Sequence, residues 1–258
     1  MIIYFLIAFC ASTLGAIIGI GGGLIIKPTL GAITSLTLGN INLLSSLTIF
    51  SMAITSLIKR KLNKSIIFIK NVQWLILGSI TGGFIGNQLF NYFLQTFNNI
   101  DNLDQIQSTI IIILLIIAFS SKYLNQLIGD KINLKLSKTN LFLIGIWLAT
   151  ISSFLAVGGG PANVAMLIIL FKVDIKSATF TSILLILFSQ GTNLVTTLIT
   201  QQYLSYHLAP ALIMIPGGII GGIVGTKINN LCTPKAIEII FSISMICLII
   251  LNIFNIYL

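Results

Sequence analysis

Charge is what this 258-residue sequence has least of: Asp and Glu total 5, there is one His, and charged residues make up 7% of the chain. A soluble domain carries about 25%. So few charges cannot cover a water-facing surface, which excludes a soluble enzyme and a disordered chain. Cysteine is scarce as well. Cys10, Cys232 and Cys247 are odd in number and far apart, which argues against a disulfide framework or a paired-cysteine metal site. They read as small apolar fillers. No carboxylate falls deep within a long apolar run, Glu238 standing at the edge of the last, which argues against a proton relay built on membrane Asp or Glu. There is no P-loop and no His-Glu zinc motif. A membrane hydrolase would have only His207, at a helix end, as its base. No catalytic residue, metal or cofactor is expected.

What the chain has instead is apolar length: AVILMFWYC residues make up 56%. A bilayer core takes about 20 apolar residues per helix. Long runs occur at 2–20, 41–58, 73–94, 108–121, 140–157, 177–199, 207–226 and 236–257. Two shorter runs, 24–38 and 161–171, each follow a triple glycine. An 11-residue helix is about 16 Å long, half a membrane, and reads as a re-entrant or broken piece. The first run lacks a basic leader and a small-residue cleavage site, so it reads as a retained membrane segment.

The net charge of +9 sits in short segments between these runs. That is the pattern of cytoplasmic loops beside anionic lipid, and no aromatic-interleaved basic face suggests nucleic-acid binding. The basic groups are Lys59, Arg60, Lys61, Lys64 and Lys70; Lys122, Lys131, Lys135 and Lys138; Lys172 and Lys176; and Lys227 and Lys235. The segment 95–107 carries Asp101 and Asp104 and no base. If each glycine-tipped segment is a hairpin returning to its own side, all four basic groups share one face. Only Lys27, near a hairpin tip, stands apart. The positive-inside rule thus predicts six full spans, two re-entrant hairpins and both termini outside.

The halves resemble each other. Gly21-Gly22-Gly23 is echoed by Gly158-Gly159-Gly160, 137 positions later, and Ser45-Ser46 by Thr181-Ser182. GSITGGFIG at 78–86 is echoed by GGIIGGIVG at 217–225. The expected fold is an all-α polytopic membrane protein of two inverted repeats, each a glycine-broken re-entrant hairpin plus three transmembrane helices. The first repeat covers 1–128, a cytoplasmic linker 129–139, and the second repeat 140–258. Matching interrupted helices in inverted repeats point to a transporter's substrate site.

Each triple glycine precedes a short helix, and Pro161 suits a first helical position. A helix start leaves N–H groups free at the positive end of the dipole. Two such starts aimed at the membrane middle would cradle an anion; alternatively, the glycines only permit tight turns. Lys27 is either an intramembrane charge with a function or a snorkelling side chain. Its counterpart is Val164. Polar stripes follow the hairpins: Ser45, Thr48, Ser51 and Thr55, then Thr181, Ser182, Ser189, Asn193 and Thr196. They line a pathway or join helices by hydrogen bonds. The recurring Ser45, Ser46, Thr181 and Ser182 are the stronger candidates, with Asn163 a weaker one. Gly78, Gly82 and Gly86, with Gly217, Gly221 and Gly225, are spaced for close helix packing. Thr233-Pro234 reads as an N-cap and first helical residue.

GAIIGIGGGLIIKPTL at 15–30, FLAVGGGPANVAMLIIL at 154–170 and ATFTS at 178–182 resemble the TauE/SafE sulfite-exporter-like family over essentially the whole chain. Lys27 departs from the apolar residue usual before that proline. The resemblance implies a permease for small anions in the cell membrane (bacterial inner or plasma membrane), with sulfite, sulfonates and related organosulfur anions as the substrate class. The expected partners are therefore a small anion and the lipid bilayer. The expected binding residues are Gly21, Gly22, Gly23, Gly158, Gly159, Gly160, Ser45, Ser46, Thr181, Ser182, Asn163 and Lys27. An intramembrane enzyme and a non-transporting scaffold are the alternatives.

Overall fold

The computed structural model describes residues 1–62, 71–96, 100–128 and 137–257. Residues 129–136 of the expected linker, with Lys64, Lys70, Lys131 and Lys135, lie outside the described residues. Among the described residues there are ten α-helices and one 3-10 turn, and no strand. The helices are α1 (Ile2–Ile18), α2 (Gly23–Ile33), α3 (Leu38–Leu62), α4 (Val72–Thr96), α5 (Ile100–Ile128), α6 (Lys138–Leu155), α7 (Gly160–Phe171), α8 (Ile175–Ile199), α9 (Ala211–Leu231) and α10 (Pro234–Tyr257). Five of them, α3, α6, α8, α9 and α10, are long and apolar enough to cross a membrane. The chain is thus an all-α, multi-pass membrane protein.

Both glycine triplets break the chain where the sequence places them. α1 ends on Gly19, whose N–H donates to Gly15 O at 2.8 Å. α6 ends on Ala156, with Val157 N–H reaching back to Ser152 O at 3.3 Å, a closure of the Schellman type. The dihedrals then repeat. Gly19 and Ala156, Gly21 and Gly158, and Gly22 and Gly159 are pairwise left-handed, with φ of 79° and 53°, 84° and 73°, and 78° and 90°. Gly22 and Gly159 are the N-caps of α2 and α7.

The glycine stripes direct the packing. A Cβ on Gly221 would lie 2.7 Å from Phe9 O, so α9 lies directly on α1. Gly78, Gly82 and Gly86 bring α4 onto Phe142, Ile146 and Thr150 of α6 in the same way. Each stripe therefore packs on the hairpin of the other half, and the close-packing reading of these glycines holds. The contacts advance in step along both pairs, so α1 runs parallel to α9 and α6 parallel to α4. α3 and α8 run antiparallel through the centre, Ser46 meeting Asn193 and Phe50 meeting Gly191. Of their most apolar windows, 61% and 56% are buried, against 28% for α10. Exposed Ile116, Ile117, Ile243 and Ile250 give α5 and α10 an apolar outer face, as lipid contact requires.

Two boundaries differ from the sequence expectation. The segment 95–107 is not all loop: α5 starts at Ile100, and Leu103 and Gln107 are fully buried. Hydropathy reports where lipid touches a helix, not where its hydrogen bonding begins. Likewise Lys59, Arg60 and Lys61 form the last turn of α3, where cations suit the dipole, and Arg60 is buried there. The Thr233-Pro234 reading holds. Ala236 N–H donates to Thr233 Oγ1 at 3.3 Å ahead of α10. Asp174 caps α8, accepting from Lys176 N–H at 3.0 Å and Ser177 N–H at 3.3 Å.

Candidate functional site

The two breaks meet. A Cβ on Gly21 would stand 2.6 Å from Gly158 O and 3.1 Å from Val157 O. One on Gly23 would stand 2.7 Å from Val157 Cα, and one on Gly22 2.7 Å from Ala11 O. Only hydrogen at these positions lets the backbones close. The starts of α2 and α7 therefore lie beside one contact at the bundle centre, in backbone too tightly packed for an ion to lie between Gly21 and Gly158.

The serines flanking the breaks bond them crosswise. Ser182 Oγ donates to Gly19 O at 2.6 Å, and Ser45 Oγ to Ala156 O at 3.3 Å. Each hydroxyl thus holds the carbonyl at the end of the other half's broken helix, one that helix geometry leaves without an intrahelical donor. Ser182→Ala should lower stability by about 1 kcal/mol, and Ser45→Ala, with its longer bond, by about half that. Thermal unfolding in detergent measures the difference, and equal losses would show that bond length is not what separates them.

Beside the second break is a narrow cavity with room for about one water molecule. Asn42, Leu43 and Ser46 line it from α3, Asn87, Phe90 and Asn91 from α4, Ser153 and Ala156 from α6 and its end, and Asn193 and Thr197 from α8. Gln202 and Tyr206 border it from the segment after α8. Tyr206 packs on Gly39 near the start of α3, while Ser46 and Ala156 lie deeper. An amide relay runs along the wall. Asn91 Nδ2 donates to Asn87 Oδ1 at 2.9 Å, Asn87 Nδ2 to Asn193 Oδ1, and Asn193 Nδ2 to Ser46 Oγ at 3.0 Å. Each amide is oriented by the next, which leaves the Ser46 hydrogen for another acceptor. Burial raises the Tyr206 phenol above its ordinary pKa, so its O–H stays a donor at neutral pH.

Two lining groups have no partner. Asn42 is 5% exposed, and both its Oδ1 and its Nδ2 are buried without a hydrogen bond. Ser153 Oγ is in the same position. A buried amide left unpaired costs about 1–3 kcal/mol, so such a group in a cavity marks a place for a polar ligand.

The expected residues thus divide. Ser46 lines the cavity; Ser45 and Ser182 hold the breaks; Thr181 Oγ1 is buried without a hydrogen-bond partner. Asn163 is buried on α7 against Gly159. Lys27 does not snorkel. It is 4% exposed, and its Nζ donates to Gln107 Oε1 of α5. Gln107 Nε2 in turn donates to Phe154 O at 2.6 Å. Sequence reasoning missed Asn42, Asn87, Asn91 and Ser153. The four-residue spacing of Asn87 and Asn91, one helix face, was the available signal. His207 is exposed and apart from the cavity. Among described residues no group of His, Cys, Asp and Glu is arranged to hold a metal.

The model of the family described as Sulfite exporter TauE/SafE matches residues 4–251. The chain belongs to the TauE/SafE family. Comparison with curated proteins and with solved structures gives no match. TauE/SafE is a membrane sulfite and anion exporter family rather than an enzyme family. In this TauE/SafE chain, the charged side chains that are buried among the described residues are Lys27 and Arg60, both cations.

Proposed function

We propose that this chain is a secondary transporter or permease for small anions, sulfite or a sulfonate foremost. The anion enters the asparagine-lined cavity and passes the contact between the two glycine breaks. Inverted repeats over 1–128 and 140–258, inserted oppositely in a cell membrane, provide the alternating access. The opposed directions of α3 and α8 and the matched backbone of the breaks support this reading. The positive ends of α2 and α7 lie at the centre, and Lys27 and Arg60 add to the positive interior.

The observation that carries the proposal is that the unpaired Asn42 amide and Ser153 hydroxyl line one cavity, which reaches Ala156 of the second break. Neutral donors suit an anion that must also leave the cavity. Because Gly21 and Gly158 are in contact here, passage requires that the breaks separate. Ser46 and the glycine triplets are then the groups the anion meets, with Thr181 and Asn163 beyond them. Uptake of radiolabelled sulfite into proteoliposomes tests the reading. Uptake above protein-free vesicles is expected. None for sulfite or for any small sulfonate, from protein that stays monodisperse, would overturn it.

A further inference from the structure

Residues of the asparagine cavity have counterparts toward the far end of α3. The crosswise bonds pair Ser45 with Ser182 and Gly19 with Ala156, and this 137-residue offset relates Thr197 to Arg60, Asn193 to Ser56, Ser153 to Ala16 and Asn42 to Thr179. The glycine stripes, offset by 139, relate Asn87 to Thr226. The contacts follow the same correspondence. Asn87 is hydrogen-bonded to Asn193, and Thr226 Oγ1 and Ser56 Oγ are 2.7 Å apart. Thr179 repeats the condition of Asn42, its Oγ1 buried with no hydrogen-bond partner. At this end, however, the position matching Thr197 carries a guanidinium. Arg60 is 2% exposed, and its Nη2 donates to Ala16 O at 3.2 Å.

We infer that Arg60, with Thr179 and the Ser56–Thr226 pair, forms a second oxyanion site at the basic end of the pathway. A planar guanidinium presents paired N–H donors that match two oxygens of a sulfite or sulfonate. An arriving oxyanion competes with the Ala16 carbonyl, a neutral acceptor and the weaker one. The site is charged where the asparagine cavity is neutral, so the anion is held more tightly from the basic end. The inference rests on the transport reading above and gives it a polarity.

The test is sulfite transport by protein oriented one way in proteoliposomes, with KM measured separately from each face. Arg60→Gln should raise KM about tenfold or more from the face bearing Lys59 and Lys61, and less than about twofold from the other. Arg60→Lys should lose less, keeping the charge without the fork. Thr179→Val, which keeps size and charge, should raise KM about threefold from the same face. Lys61→Gln, at an exposed position, should leave both faces unchanged. Equal changes from both faces, no change with Arg60→Gln, or a like change with Lys61→Gln would overturn the second site. Should Arg60→Gln not fold, the Thr179→Val result decides, and no sidedness there overturns it. A wild type that moves no sulfite would instead remove the transport reading itself.

Discussion

Replacing Gly21 with Ala is expected to destabilise the folded chain by about 2–5 kcal/mol. The left-handed backbone at Gly21, φ +84°, costs a residue with a Cβ about 1–2 kcal/mol. The added carbon also stands 2.6 Å from Gly158 O. That atom is main chain held by the other half and cannot rotate aside, and overpacking of this kind costs about 1–3 kcal/mol. At about 2–4 °C per kcal/mol for a chain of this size, the apparent Tm should fall by about 10 °C. Gly160→Ala is the control. Its φ of +53° carries the same conformational cost, but the new Cβ meets only Leu24 Cδ1, at 3.5 Å. A loss of about 1–2 kcal/mol is expected there. Similar losses at both positions would show that the two breaks do not press on each other.

Asn42→Leu is expected to separate transport from stability. The Asn42 amide has no hydrogen bond to lose, and both its polar atoms are buried. An apolar side chain of similar size removes that desolvation penalty. The variant should therefore unfold at the same temperature as the parent or above it. Transport should fall about 10- to 100-fold, the worth of one hydrogen bond to a charged ligand. Asn193→Leu makes the contrast, because Asn193 donates to Ser46 and accepts from Asn87. That change should lower both stability and transport. Full transport by Asn42→Leu would remove the asparagine cavity from the pathway.

The breaks and the helix contacts could be read in the sequence; the cavity could not. Triple glycines are local signals, because only glycine takes up that run of left-handed dihedrals and leaves room for another backbone. The stripes Gly78–Gly82–Gly86 and Gly217–Gly221–Gly225 were equally plain, since helix spacing alone puts each set on one face. Asn42, Asn87, Asn91 and Asn193 come from three helices, and tertiary packing alone joins them. Each by itself reads as an interhelical hydrogen bond. Arg60 was hidden by its neighbours: within Lys59-Arg60-Lys61 it looks like one more loop cation, and only the burial of the last turn of α3 sets it apart. For Lys27 the sequence left an intramembrane charge and a snorkelling side chain both open, because its direction, toward Gln107 of α5, depends on a contact 80 residues away in sequence.

The most direct measurement is counterflow. Proteoliposomes preloaded with unlabelled sulfite should take up external labelled sulfite faster than empty ones, and an external alkylsulfonate should compete. A carrier whose breaks part on one side at a time must show this acceleration. Uptake unaffected by preloading, or no saturable uptake of any small oxyanion by folded protein, would contradict an alternating passage between the two glycine breaks.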